Sequence, residues 1–245
     1  LERAACCAVW AAVSGLKLAT FHSKDRDIMV IDFEQARFAM VEQQVRPYEV
    51  LDLRVLEAMS TVKREDFVPA RHRKLAFADM ALPLEHGESM MKPTLEGRML
   101  QALDLAPEDS VLEIGTGSGF ITACLGHLAR AVLSIDIHAD FVERAHSRFV
   151  GGNYANISVQ HADVRTFEPG RQFDAVCFTG AVVDLPAHAL TWLRPGGRLF
   201  AVRGLAPAQE AVRWLNQDGR VEPLSLFETE LPYLAGLSPV ARFAL

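Results

Sequence analysis

The chain has 245 residues, a formal net charge of −6 and a sequence pI near 5.8; half of its residues are hydrophobic and 23% are charged. These values suit a globular protein with one large domain or one domain with appendages, and they count against a general nucleic-acid binder, which is more often basic. From Ala4 to Leu16 the chain is apolar and uncharged, yet too short to span a bilayer. It reads as a secretory signal or as an upstream extension. Glu2 in the leading segment and the lack of a clean small-x-small site favour the extension, so residues 1–28 are expected to be a poorly ordered leader and the domain to start near Met29. Asp32 followed by Gln35 is a capping pair, and Phe33, Ala36, Met40 and Val41 recur at helical spacing. A second helix is expected from Leu53 to Met59. Residues 70–94 lack a period and carry Pro83, Gly87 and Pro93, which predicts a long loop near a ligand. A helix from about Leu95 to Leu103 follows.

From Ser110 onward strand and helix patterns alternate. Ile121, Cys124, Leu125 and Leu128 form a one-sided helical stripe, and Ala131–Ile137 is a strand. Val142, Ala145 and Phe149 mark a helix, and Ile157–Gln160 and Phe173–Thr179 mark strands. Leu185, Ala189, Trp192 and Leu193 predict a further helix, Arg194–Gly197 a turn, and Arg198–Val202 a strand. Such apolar strands, separated by helices, imply a parallel sheet covered on both faces. Ala211–Leu215 and Val221–Phe227 flank Asn216-Gln217-Asp218-Gly219 and predict a hairpin. The expected organisation is a single domain over 29–245, with N-terminal helices and a substrate loop (29–109), a cofactor-binding core (110–204) and C-terminal strands (205–245).

The chemistry centres on Val111-Leu112-Glu113-Ile114-Gly115-Thr116-Gly117-Ser118-Gly119-Phe120. Apolar residues lead to an acid, three alternate glycines follow, and an amphipathic stretch comes next. This is the strand, turn and helix that open a nucleotide-binding fold. The spacing is G-x-G-x-G rather than the G-x-G-x-x-G of dinucleotide sites. A carboxylate placed just before the glycines would repel a pyrophosphate and suits a cationic amine or sulfonium. Asp136 and Asp163 also stand at strand ends, where open α/β sheets bind ligands, and Asp136 lies about twenty residues past the first glycine, the position of a ribose-binding carboxylate. The three acids in register with the glycine turn point to an adenosine-type cofactor.

The glycine turn resembles the first motif of S-adenosylmethionine-dependent methyltransferases. More specifically, Met40–Arg46, Val55–Met59, Val62-Lys63-Arg64-Glu65-Asp66-Phe67-Val68-Pro69, Ala76–Asp79, Val111–Phe120 and Arg194–Leu199 resemble the protein-L-isoaspartate O-methyltransferases. The Arg-Glu-x-Phe-Val-Pro segment is the family-level signal, and the resemblance runs from about Phe33 to Gly204. It implies a seven-stranded Rossmann-like α/β methyltransferase fold, S-adenosyl-L-methionine as donor, and isoaspartyl-containing proteins or peptides as acceptors. Carried over, Glu113 with Gly115, Thr116, Gly117, Ser118 and Gly119 holds the methionine part. Asp136 holds the ribose and Asp163 the adenine amino group, with Val164 and Thr179 in the same site.

One position departs from the family, whose Thr-Ile-Ser-Gln-Pro loop sets a serine at the acceptor carboxylate. The matching segment here is Ser89-Met90-Met91-Lys92-Pro93, with Met91 in the serine's place. A thioether cannot donate a hydrogen bond to a carboxylate. Ser89 is therefore expected to make the direct contact and Lys92 to orient the acceptor. Otherwise the acceptor is a small molecule or another protein group, or the chain is a non-catalytic cofactor-binding module. The histidines show no metal spacing, so no metal is expected, and the short basic run Arg71, Arg73 and Lys74 reads as a solvated face. Cys124 and Cys177 fall in apolar patterns and read as reduced core residues. The resulting expectation is a cytoplasmic monomer that binds neither nucleic acid nor membrane.

Overall fold

The structure, a computed structural model, describes residues 31–239 apart from Asn153 and Asp218. The expected leader and the start at Met29 lie outside the described residues.

Seven strands form the central sheet: β3 (Ser110–Ile114), β4 (Ala131–Asp136), β5 (Ile157–His161), β6 (Phe173–Val182), β7 (Leu193–Leu205), β8 (Ala208–Gln217) and β9 (Arg220–Thr229). Their order is β5-β4-β3-β6-β7-β8-β9. The first five in that order pair in parallel, while β7–β8 and β8–β9 are antiparallel. The expectation of a parallel sheet therefore holds up to β7, and the predicted C-terminal hairpin is β8–β9. The chain winds outward from β3 to β5 and then crosses back to place β6 on the other side of β3. That reversal opens a crevice at the carboxyl ends of β3 and β6.

Side chains alternate across the sheet. In β3, Val111 joins a core with the N-terminal helices, whereas Leu112 and Ile114 join a second core with Phe173, Phe178 and Trp192 on the opposite face. The first core is covered by α1 (Phe33–Met40), α2 (Leu53–Thr61), α3 (Pro93–Leu103), α4 (Phe120–Leu128) and α5 (Ala139–Val150). Asp32 caps α1 by accepting from the backbone N–H groups of Glu34 and Gln35 at 3.1 Å. Asp52 caps α2 in the same way through Arg54 N–H, at 2.8 Å.

Two expectations need correction. Residues 70–94 are not a structureless loop but a 3₁₀ turn (Ala70–Leu75) and a small hairpin of β1 (Leu82–Pro83) with β2 (Ser89–Met90). Polar side chains hold this segment, so it shows no hydrophobic period. Arg64 is fully buried; its Nε donates to Ala76 O at 2.8 Å and its Nη2 to Met91 O at 2.9 Å, and it pairs with Glu96. Asp79 accepts from the N–H and hydroxyl of Thr94 at 3.0 and 2.8 Å. The helix expected around Leu185–Leu193 is only a 3₁₀ turn, Ala187–Trp192, entered through Pro186. The chain then enters β7 at Leu193 and carries the predicted Arg194–Gly197 turn inside that strand as an irregularity. Cys124 and Cys177 are buried and free, as expected. Among the described residues no helix is long and apolar enough to cross a membrane.

Candidate active site

The crevice at the switch point is a cleft lined by Gly115, Gly117, Asp136, Asp163 and Thr179. The glycine turn forms its floor. Gly115 has φ +99°, and a Cβ there would lie 2.3 Å from Thr179 Oγ1 and 2.9 Å from Leu234 Cδ2. Only glycine leaves this space open. The Thr179 hydroxyl donates to Gly115 O at 2.5 Å and to Ile114 O at 3.0 Å, tying the ends of β3 and β6 together beneath the cleft.

Asp136, at the end of β4, lines the cleft and is 6% exposed. Its Oδ2 accepts from Gly117 N–H at 2.8 Å and its Oδ1 from His138 N–H at 2.9 Å. Each oxygen keeps an acceptor site for a ligand hydroxyl. Asp163 and Val164 form another wall. The Asp163 carboxylate is gripped by Arg165, whose Nη2 donates to Oδ2 at 2.5 Å, and these hydrogen bonds hold it below the usual carboxylate range. Ile137, Phe141 and Leu234 add apolar surface.

Five residues of this wall, Leu84, Ser89, Gly115, Gly117 and Thr179, also line a smaller adjoining cleft with Met90, Met91, Thr116, Ser118 and Glu96. Ser89 lines both clefts. Met91 is 3% exposed, and its carbonyl accepts from Arg64. Burial raises the Glu96 carboxyl above its usual range, against the pull of Arg64.

Three expected site residues are placed differently. Strand alternation puts Glu113 on the same face as Val111, under α4 rather than in the cleft. It is fully buried, and its Oε2 accepts from Thr122 Oγ1 at 2.6 Å, while Oε1 has no partner among the described residues. Burial pushes its pKa up to about 8, which favours the neutral carboxyl at neutral pH, and it does not line the cleft. Gly119 starts α4 at φ +85°, where a Cβ would press on the Phe149 ring at 3.2 Å; its role is packing. Lys92 lines neither cleft. It is the residue before Pro93 at the start of α3, and its carbonyl accepts from the N–H groups of Leu95 and Glu96.

Sequence reasoning also missed parts of the site. Leu231, Pro232, Leu234 and Ala235 close one wall. Their short apolar run has no period, and it is placed by backbone pairing of Ala181 with Pro232 and Leu234. Glu88 and His138 line the cleft without belonging to any motif. Arg64 lay in the family-level segment, but nothing in its spacing revealed Glu96 as its partner.

Residues 35–227 match the family described as protein-L-isoaspartate(D-aspartate) O-methyltransferase. The chain belongs to this family. A protein-L-isoaspartate O-methyltransferase of Koribacter versatilis (strain Ellin345) is 36% identical over 205 residues, covering 83% of this chain and 92% of that protein. One from Methanoculleus marisnigri (strain ATCC 35101 / DSM 1498 / JR1) is 35% identical over 191 residues, 78% of this chain and 87% of that protein. Among solved structures, a Plasmodium falciparum protein described as a putative protein-L-isoaspartate O-methyltransferase, in complex with S-adenosyl-L-homocysteine, superposes with a TM-score of 0.70 at 17% identity; it covers 81% of this chain and 97% of that one. That likeness shows the Rossmann-like methyltransferase fold. The Arg64–Pro69 segment thus has a physical basis here: Arg64 anchors Met91, which lines the smaller cleft, and Phe67 packs edge-on against Phe120 at 5.8 Å.

Proposed function

We propose that this chain is a protein-L-isoaspartate O-methyltransferase that esterifies isoaspartyl carboxyl groups of damaged proteins with S-adenosyl-L-methionine. The observation that carries the reading is a pair of adjoining clefts at the bare glycine turn: one lined by Asp136, read as the cofactor site, and one lined by Met91, read as the acceptor end, with Ser89 lining both. The residues fit the cofactor. The Gly115 backbone lies open where a Cβ would collide, Asp136 presents free acceptor sites to ribose hydroxyls, and Phe141, Ile137 and Val164 offer apolar surface to an adenine. When bound, S-adenosyl-L-methionine supplies an electrophilic methyl group on a sulfonium.

The rest is positioning. Asp136, fixed by two backbone donors, orients the ribose. Thr179 braces the floor, and the Leu231–Ala235 wall excludes water from the reacting pair. Ser89 donates to one oxygen of the acceptor carboxylate and leaves the other free to attack. An ionised carboxylate needs no proton removed, so no general base is required. Lys92 has no part in this contact.

The buried free thiols of Cys124 and Cys177 support a cytosolic setting. The net charge of −6 supports a protein acceptor over nucleic acid. A second reading keeps the cofactor and changes the acceptor: Met91 and the Glu96 carboxyl at the acceptor end favour an uncharged group over an anion. Two variants separate the readings. Ser89→Ala lowers turnover on an isoaspartyl peptide about tenfold or more with cofactor affinity unchanged, and Met91→Ser keeps or raises it. If parent and Met91→Ser both bind cofactor yet methylate no such peptide, the changed-acceptor reading takes its place.

A further inference from the structure

A third acidic group lines the nucleoside cleft beside Asp136 and Asp163, and it comes from the hairpin rather than from a strand end. Glu88 lies just before β2 on the hairpin and lines the cleft with Asp136 and His138. Its side chain is 23% exposed, and its Oε1 stands 3.6 Å from His138 Nε2. His138 touches both carboxylates, since its backbone N–H donates to Asp136 while its ring faces Glu88. The ring is fixed by parallel stacking on His86 at 4.1 Å and by Phe141 at 5.3 Å, and Nε2 is buried with no hydrogen-bond partner among the described residues. His86, in a left-handed conformation at φ 60°, donates from Nε2 to Asp140 Oδ1 at 2.8 Å, and Glu85 pairs with Arg144 at 3.0 Å. The Glu85–Glu88 turn is thereby held against the start of α5, which fixes the direction of Glu88.

We propose that Glu88 is a cofactor-binding residue, a second carboxylate that accepts a ribose hydroxyl and so completes a two-sided grip on the diol with Asp136. This inference rests on the reading of the cleft as an S-adenosylmethionine site. Two carboxylates facing one partly desolvated space repel one another. Burial and the nearby Asp136 both raise the Glu88 carboxyl, against the pull of His138 and His86. A vicinal diol brings two donors and no charge, which is the ligand chemistry that relieves this arrangement. A 2′-phosphate or a pyrophosphate at the same place would be rejected.

Calorimetry with S-adenosyl-L-homocysteine and its 2′-deoxy and 3′-deoxy analogues tests this. Glu88→Ala weakens S-adenosyl-L-homocysteine binding about tenfold, and the isosteric Glu88→Gln, which keeps an acceptor oxygen, recovers most of the loss. Removing one of the two hydroxyls costs the parent about tenfold but costs Glu88→Ala little. In turnover, Glu88→Ala raises KM for the methyl donor and leaves kcat within about twofold. A purely structural role would weaken the analogues and the natural ligand alike. If Glu88→Ala binds as tightly as the parent, or if both hydroxyl deletions cost the two proteins equally, the assignment is overturned while the cofactor reading stands. A parent that binds no S-adenosyl-L-homocysteine overturns both.

Discussion

Glu113 is the residue whose environment departs furthest from what its position in the motif suggests. In the sequence it stands before the glycines as an anion. In the structure it is a buried carboxyl with a pKa of about 8 against an ordinary 4.5. The linkage has a definite sign. Between these values the unfolded chain releases the proton and the native chain keeps it, so the native state loses stability as pH rises from about 4.5 to about 8. Glu113→Gln removes the ionisable group and keeps an acceptor for Thr122. Chemical denaturation across pH 5 to pH 8 is expected to show the parent losing roughly 2–5 kcal/mol from this source and the variant much less. Equal slopes would return Glu113 to the ionised state. Asp136 behaves differently because backbone donors hold it at the cleft. Asp136→Ala is expected to cost about 1.5–3 kcal/mol of S-adenosyl-L-homocysteine affinity, read by calorimetry. An unchanged affinity would remove Asp136 from the site.

Among the elements, the hairpin of β1 and β2 depends on one buried ion pair. Arg64 holds Ala76, Met91 and Glu96 together with no exposure to solvent. Arg64→Ala leaves Glu96 uncompensated and is expected to destabilise the protein by about 3–5 kcal/mol in urea unfolding. Replacing both partners by apolar residues, Arg64→Met with Glu96→Leu, is expected to recover much of that loss while still impairing acceptor binding. A double variant no more stable than Arg64→Ala would show that the pair's charge is not what matters. The contrast with β3, α4 and β4 explains what the sequence could disclose. Those elements bury a periodic apolar face, and period is visible in one dimension. The hairpin is built from Arg64, Asp79, Thr94 and Glu96, which are brought together across tens of residues and carry no periodic signature. The short turn at Ala187–Trp192 misled for the opposite reason: Ala189 and Trp192 have helical spacing and pack on the sheet, yet the entry at Pro186 and the early start of β7 leave room only for a 3₁₀ turn.

In the whole molecule, the reversal of strand order at β3 and β6 sets where everything else must act. Strand-end acids could be located from the sequence because each closes a strand, and Asp136 and Asp163 do line the cleft. What could not be located is the third dimension. Alternation turned Glu113 away, the helix start placed Lys92 outside, and the wall from Leu231 to Ala235 reaches the site only by pairing beside β6. Met91 stands where the resemblance expects a serine, so the central claim concerns the acceptor. The most direct measurement is transfer of labelled methyl from S-adenosyl-L-methionine to a peptide containing isoaspartate, compared with the same peptide containing ordinary aspartate. The account predicts base-labile methyl ester on the isoaspartyl peptide and none above background on its normal counterpart. Equal or absent labelling of the two, by protein that binds S-adenosyl-L-homocysteine, would contradict it.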